Sequence, residues 1–329
     1  MIKTLKFASA LNVILLLSAA YSSASADNLK VVASFSIISD FAKNVGGDKI
    51  DLTTLVGPDG DAHVYEPKPA DAAAVAKADV VLVNGLNFEG FLPRLVEASA
   101  TKAPIVELTK GVEPLKSEEE EHDHAGGEQH KAEGAEHKHE GEEHKEEAGH
   151  DHGAYDPHAF QSISNAKIYV KNIADAFCTA DAANCDTYKA NAADYTKKLD
   201  ATETNVKAAI ASIPENKRLV ITSHDAFGYF EHEYGLKFLA PEGISTDSEA
   251  SAADIVALIK QIKEDKASAI FVENITNPRL IEQIASETKL KVGGTLFSDA
   301  LSKPEDGAGT YIDLMNHNID TFKKAILGS

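Results

Sequence analysis

The sequence predicts an α/β protein of two lobes, each a four-stranded, mainly parallel sheet flanked by helices, joined by one long rigid helix. Three observations carry this prediction. Short apolar runs alternate with helical stretches, four such units early in the chain and four late. An unbroken helical periodicity lies between the two sets, over residues 185–213. The 329 residues suffice for about two domains of the usual ~100–200 residues.

Residues 1–26 read as a signal peptide. Lys3 and Lys6 form a short basic region, residues 11–20 an apolar run, and Ala24-Ser25-Ala26 a small-residue cleavage pattern. The apolar run is shorter than the ~20 residues a bilayer span requires. No Cys lies beside the cleavage pattern, so the expectation is a periplasmic chain that is secreted and not lipid-anchored.

The first lobe is expected over residues 27–184. Residues 31–35, 51–56, 80–83 and 105–108 read as buried strands, and 37–45 as a helix stopped by Gly46-Gly47. In the linking segment, Tyr188, Tyr195, Leu199, Val206, Ile210 and Ile213 recur at helical spacings, and Pro214 ends the run. Roughly 27 residues of helix would span ~40 Å, long enough to run down both lobes as a stiff connector. The second lobe, 214–329, offers strands at 219–222, 236–239, 269–272 and 292–297. Ile255, Leu258, Ile259 and Ile262 share one helix face behind a capping box of Ser251 and Asp254, and Asn277-Pro278 marks another helix start.

The chain has two cysteines, Cys178 and Cys185, in an export context where thiols oxidise. In one continuous helix they would stand ~10 Å apart, too far for a bridge. A disulfide therefore requires a turn over residues 179–184, and it reads as a structural clasp.

The formal net charge is −20, which gives no attraction to phosphate backbones or anionic lipid and excludes nucleic acid as a partner. Cations fit better. Residues 117–152 hold much of that charge, with fourteen Asp or Glu and only three Lys. They also hold eight histidines: His122, His124, His130, His137, His139, His144, His150 and His152. The segment has no Val, Ile, Leu, Phe or Tyr to bury, so it is expected to be a disordered insertion. A solvated linker would explain the acidity; the histidine density favours a secondary, weak metal-collecting tract.

Five histidines remain. His232 and His317 sit in helical stretches without a nearby partner and read as packed or surface residues. His63 follows the strand ending at residue 56, His158 follows Asp156-Pro157 at a helix start, and His224 follows the strand ending at 222. Asp299 follows the strand ending at 297. Ligand sites in open α/β sheets gather at such C-terminal strand ends. No compact zinc spacing, His-Glu-x-x-His or Cys-x-x-Cys, is present.

Gly57-Pro-Asp-Gly-Asp-Ala-His63-Val-Tyr-Glu-Pro67, Asp156-Pro-His158-Ala-Phe160, Ser223-His224-Asp-Ala-Phe-Gly-Tyr-Phe230 and Leu296-Phe-Ser-Asp299-Ala-Leu-Ser302 appear in this order. With Tyr311-Ile-Asp-Leu-Met-Asn-His-Asn318, they resemble the metal-binding substrate-binding proteins of ABC transporters, cluster A-I, over nearly the entire mature chain. The insertion and Phe271-Val-Glu-Asn-Ile-Thr-Asn-Pro278 resemble the zinc branch, ZnuA-like and AztC-like. The resemblance implies one ion in the cleft, held by His63 and His158 from the first lobe and His224 and Asp299 from the second. It implies a cognate ABC permease and its ATPase as partners, a periplasmic zinc chaperone as a further one, and a monomer. Manganese members tend to carry a carboxylate where this chain has His224. Three imidazoles and one carboxylate suit four-coordinate Zn²⁺, whereas Mn²⁺ prefers oxygen-rich shells. The expected function is therefore zinc capture for import, with a manganese-binding relative or a stand-alone zinc buffer as alternatives. A zinc metalloenzyme, with Glu273 as general base, is the rival class. Four protein ligands leave no site for a catalytic water and no nucleophile constellation is present, so the chain is expected not to be an enzyme.

Overall fold

Apolar runs without polar alternation need cover on both faces, and parallel sheets between helices supply it. In the computed structural model, which describes residues 27–117 and 154–328, the chain meets that need twice. The first lobe runs β1 (Leu29–Phe35), α1 (Ser36–Gly46), β2 (Ile50–Val56), α2 (Pro69–Val75), β3 (Val80–Val83), α3 (Leu92–Ser99) and β4 (Ile105–Glu107). All its strand pairs are parallel, in the order β2-β1-β3-β4. The second lobe runs β5 (Leu219–Ile221), α6 (Gly228–Tyr234), β6 (Lys237–Leu239), α7 (Ala252–Asp265), β7 (Ala269–Glu273), α8 (Arg279–Thr288), β8 (Val292–Leu296) and α9 (Tyr311–Leu327). Its sheet repeats the same parallel order, β6-β5-β7-β8.

Side chains alternate across the second sheet and divide its cover. Val220, Ala269 and Phe271 belong to the main core, which continues from the first lobe. Ile221 and Ile270 point the other way, against Leu258 and Ile262 of α7 and Ile281 and Ile284 of α8. Ser251 caps α7 by accepting the Asp254 N–H, and Asn277 accepts the Arg279 N–H where α8 begins.

After β4, α4 (Ile163–Ala180) packs on α1 of the first half and forms an antiparallel pair with α5 (Cys185–Ala211). The expected turn is there, a 3-10 segment at Ala182–Asn184, and it lets Cys178 and Cys185 form a disulfide across a Cα–Cα distance of 4.4 Å. Helix α5 packs on α1 and α4 of the first half and on α6 and α9 of the second. One buried carboxylate joins three of these helices, for Asp40 of α1 accepts the Tyr195 hydroxyl of α5 and the Tyr311 N–H that opens α9. Burial pushes Asp40 above the ordinary carboxylate range, and these donors oppose it.

Residues 1–26 and all eight histidines of the 117–152 tract lie outside the described residues. Around them, Lys116 and Tyr155 pair as an antiparallel bridge, with Ser117 N–H on the Ala154 carbonyl and Asp156 N–H on that of Leu115. The two ends of the insertion therefore leave the fold side by side. Among the described residues, no helix is long and apolar enough to cross a membrane.

Candidate metal centre

Each of the four candidate side chains stands on a loop whose backbone is fixed by a polar contact of its own. After β2, the His63 N–H donates to Asp61 Oδ1 at 2.9 Å. On the segment leading into α4, the His158 N–H donates to Asp156 Oδ1 at 2.8 Å, and Asn84 at the end of β3 holds the Pro157 carbonyl at 2.8 Å. After β5, the N–H groups of Ser223 and His224 both donate to Glu273 Oε1, at 2.7 and 3.0 Å. After β8, Asn318 of α9 bridges both backbone groups of Phe297, and Gln161 donates to the Ser298 carbonyl at 2.6 Å. Asp299 follows directly.

These loops meet at the C-terminal edges of both sheets. One ligand atom from each of His63, His158, His224 and Asp299 lies within 4.8 Å of all the others. Asp299 Oδ2 stands 3.2 Å from His63 Nε2, 3.6 Å from His158 Nε2 and 3.0 Å from His224 Nε2. The imidazoles of His63 and His158 face each other at 3.3 Å between their Nε2 atoms. Phe88 walls this side, its ring centroid 4.8 Å from that of His63. His232 and His317 take no part; His317 Nε2 instead lies 3.0 Å from the Thr295 carbonyl.

Two of the rings have a carboxylate behind them. Asp156 Oδ1 lies 2.8 Å from His158 Nδ1, and Glu273 Oε2 lies 2.6 Å from His224 Nδ1, a close charge contact off the hydrogen-bond line. Such partners fix a ring's orientation and leave Nε2 to face an ion. From the sequence alone Glu273 reads only as a general base, and Asp156 has no role. The signal for Asp156 lay two residues from His158; the contact between His224 and Glu273 spans 49 residues and had none.

Burial pulls all three imidazoles down, and only His63 ends below its ordinary value. For His158, Asp299 and Asp156 outweigh burial and lift it to about 9. Glu273 and Asp299 hold His224 well above the usual imidazole range in the same way. Burial alone would raise Asp299, but His158 and His224 keep it well below the carboxylate norm. Asp299 Oδ1 is buried without a hydrogen-bond partner. A charged, buried oxygen among three imidazole nitrogens is the donor set of a cation site.

Known proteins agree with that chemistry. The manganese ABC transporter substrate-binding lipoprotein PsaA of Streptococcus anginosus is 31% identical over 302 residues, covering 92% of this chain and 90% of its own. The iron ABC transporter substrate-binding lipoprotein MtsA of Streptococcus pyogenes serotype M1 is 31% identical over 303 residues, with the same coverage of 92% and 90%. Among solved structures, the periplasmic zinc binding protein TroA of Treponema pallidum superposes with a TM-score of 0.76 at 26% identity, covering 91% of this chain and 99% of its own.

These relatives correct one expectation. PsaA and MtsA are named lipoproteins, which overturns the reading of a secreted chain without a lipid anchor. That reading rests on a missing residue type, no cysteine beside Ala26, and an absence carries no weight against named relatives. A family model described as zinc-uptake complex component A periplasmic matches residues 31–325, and the chain thus belongs to this ZnuA family of substrate-binding proteins, which serve metal ABC transporters and are not enzymes.

Proposed function

We propose that the chain captures Zn²⁺ between its lobes on His63, His158, His224 and Asp299 and delivers it to a membrane permease for ATP-driven import. The observation that carries this reading is the convergence of three imidazole nitrogens and one carboxylate oxygen within 4.8 Å. That set matches four-coordinate zinc, whose bonds to nitrogen and oxygen are about 2.0–2.2 Å. The zinc-binding name of TroA supports it further. Two donors come from each lobe, so parting the lobes splits the set and releases the ion. All four donors sit on one chain, consistent with a monomer supplied directly or by a zinc chaperone. Manganese is the second reading. The name of PsaA favours it, as does Asp299 Oδ1, an unpartnered oxygen available as a fifth donor.

The test is bound metal per chain under chelator competition, with zinc and manganese offered together. One tight zinc, displaced by manganese only at large excess, is the expected result; equal occupancy at equal free concentration would favour the second reading. The same assay applies to a chain lacking residues 118–153. Its ends already pair through Lys116 and Tyr155, so a short turn can close the gap. The shortened chain is expected to keep the tight zinc and to lose the weaker equivalents. Loss of the tight site would give the tract a direct part in binding.

Binding should also release protons. His158 is held at about 9 and His224 well above the imidazole norm, so near neutral pH both carry protons that an incoming ion must displace. Protons compete with metal. Affinity is therefore expected to keep rising through pH 7 to about 9 and above, where an unperturbed imidazole would level off above ~6.5. Calorimetry in buffers of different ionisation enthalpy reads the count, expected to be roughly two protons at pH 7. A plateau from pH 7 upward would contradict it.

A further inference from the structure

His63 is held differently from the other two histidines. His158 has Asp156 behind its Nδ1 and His224 has Glu273. Among the described residues, no carboxylate is paired with His63 Nδ1, and its side chain retains slight exposure, 4% against none for Asp299. What fixes His63 is its loop, and that loop is fastened from the opposite lobe. Asp61 accepts the His63 N–H on Oδ1 and the Thr246 hydroxyl on Oδ2, at 2.9 and 2.6 Å. Asp59 donates its N–H to the Leu301 carbonyl at 2.8 Å and accepts Asn274 Nδ2 on its carboxylate at 3.0 Å. Thr246 lies between β6 and α7, Asn274 directly follows β7, and Leu301 lies two residues beyond Asp299. Asp59 itself has φ +57°, a left-handed conformation uncommon outside glycine and one that these contacts hold in place.

We infer that Asp61 and Thr246 form an interlobe latch that positions His63 and sets how long the ion stays bound. The inference rests on the four-ligand reading above and adds the order of release. Asp61 uses one oxygen for the second lobe and the other for the backbone of a ligand. Parting the lobes breaks the Thr246 contact, loosens Asp61, and frees the one imidazole without a carboxylate behind it. His63 then leaves the ion first, while His158 and His224 keep the carboxylates behind their rings. A hydrogen bond to a carboxylate is stronger than a neutral one, and a contact made only when the lobes are together acts on dissociation more than on encounter.

The test compares Thr246→Val, which removes the hydroxyl at nearly constant shape, with Thr246→Ser, which keeps it. Zinc dissociation into excess chelator is followed by stopped flow, together with association and with melting of the metal-free chains. Thr246→Val is expected to dissociate about tenfold faster, equivalent to about 1.4 kcal/mol. Its association should stay within about twofold of the parent, with metal-free melting unchanged. Thr246→Ser should restore the parental rate, and Asn274→Ala should change the rate in the same direction as Thr246→Val. A parental rate in Thr246→Val, or a serine variant as fast as the valine one, overturns the latch. His63→Ala separates the two layers of the inference. If it loses the tight site while Thr246→Val behaves as the parent, only the latch fails; if it keeps the tight site, the four-ligand reading fails and takes the latch with it.

Discussion

Replacing His224 with Ala is expected to weaken zinc binding by more than the ~10–100-fold that loss of a residue supporting a ligand costs, and to leave the chain folded. Two features produce the loss. The imidazole is one of two donors from its lobe, so only Asp299 would remain there. The ring also separates two buried carboxylates, standing 3.0 Å from Asp299 Oδ2 and 2.6 Å from Glu273 Oε2. Without it, a bound ion must recruit water into a site walled by Phe88, and the two carboxylates face each other across the gap. Folding should survive because Glu273 keeps its two backbone donors, the N–H groups of residues 223 and 224, which alanine also provides. His232→Ala and His317→Ala serve as controls and should bind as the parent does. Chelator competition measures the affinities and thermal melting the fold; a His224→Ala chain with parental zinc affinity would remove His224 from the site.

Much of this site was legible because strand ends are legible. Apolar runs of β-branched residues mark where each strand stops, and the residue types just beyond, His63, His224 and Asp299, are the ones that bear metal chemistry. Which strands are neighbours was not legible, since periodicity shows a strand's faces and not its partners. The placement of Glu273 behind His224 needs β5 and β7 side by side, a fact of sheet order alone. The same holds for Asp40, a carboxylate on an otherwise apolar helix face, whose Oδ2 donors lie 155 and 271 residues away. Local pairs fared better. The turn between Cys178 and Cys185 and the Ser251 cap each lie within a few residues and follow from helix geometry. The latch at Asp61 had half a signal. Its short-range contact to His63 is an ordinary turn motif, whereas its contact to Thr246 crosses 185 residues and both lobes.

The sharpest test of ion choice exchanges His224 for Glu. The variant keeps two imidazoles and offers two carboxylates, trading a borderline nitrogen for a hard oxygen, so zinc affinity is expected to fall while manganese affinity falls less or rises. The surroundings act on both ions alike. A third carboxylate beside Asp299 and Glu273 adds like-charge repulsion within a buried site. A divalent ion of either kind relieves that repulsion equally, which leaves the donor change as the term that discriminates between metals. Zinc should still bind more tightly in absolute terms, because Mn²⁺ stands lowest in the Irving–Williams order for a common ligand set. The informative quantity is the ratio of the manganese to the zinc dissociation constant, expected to drop by roughly tenfold or more from parent to variant. Paired chelator competitions with the two metals give it directly. If the ratio is unchanged while His224→Ala still loses zinc, then His224 supplies affinity without setting the choice of ion, and that choice belongs to the geometry of the cleft.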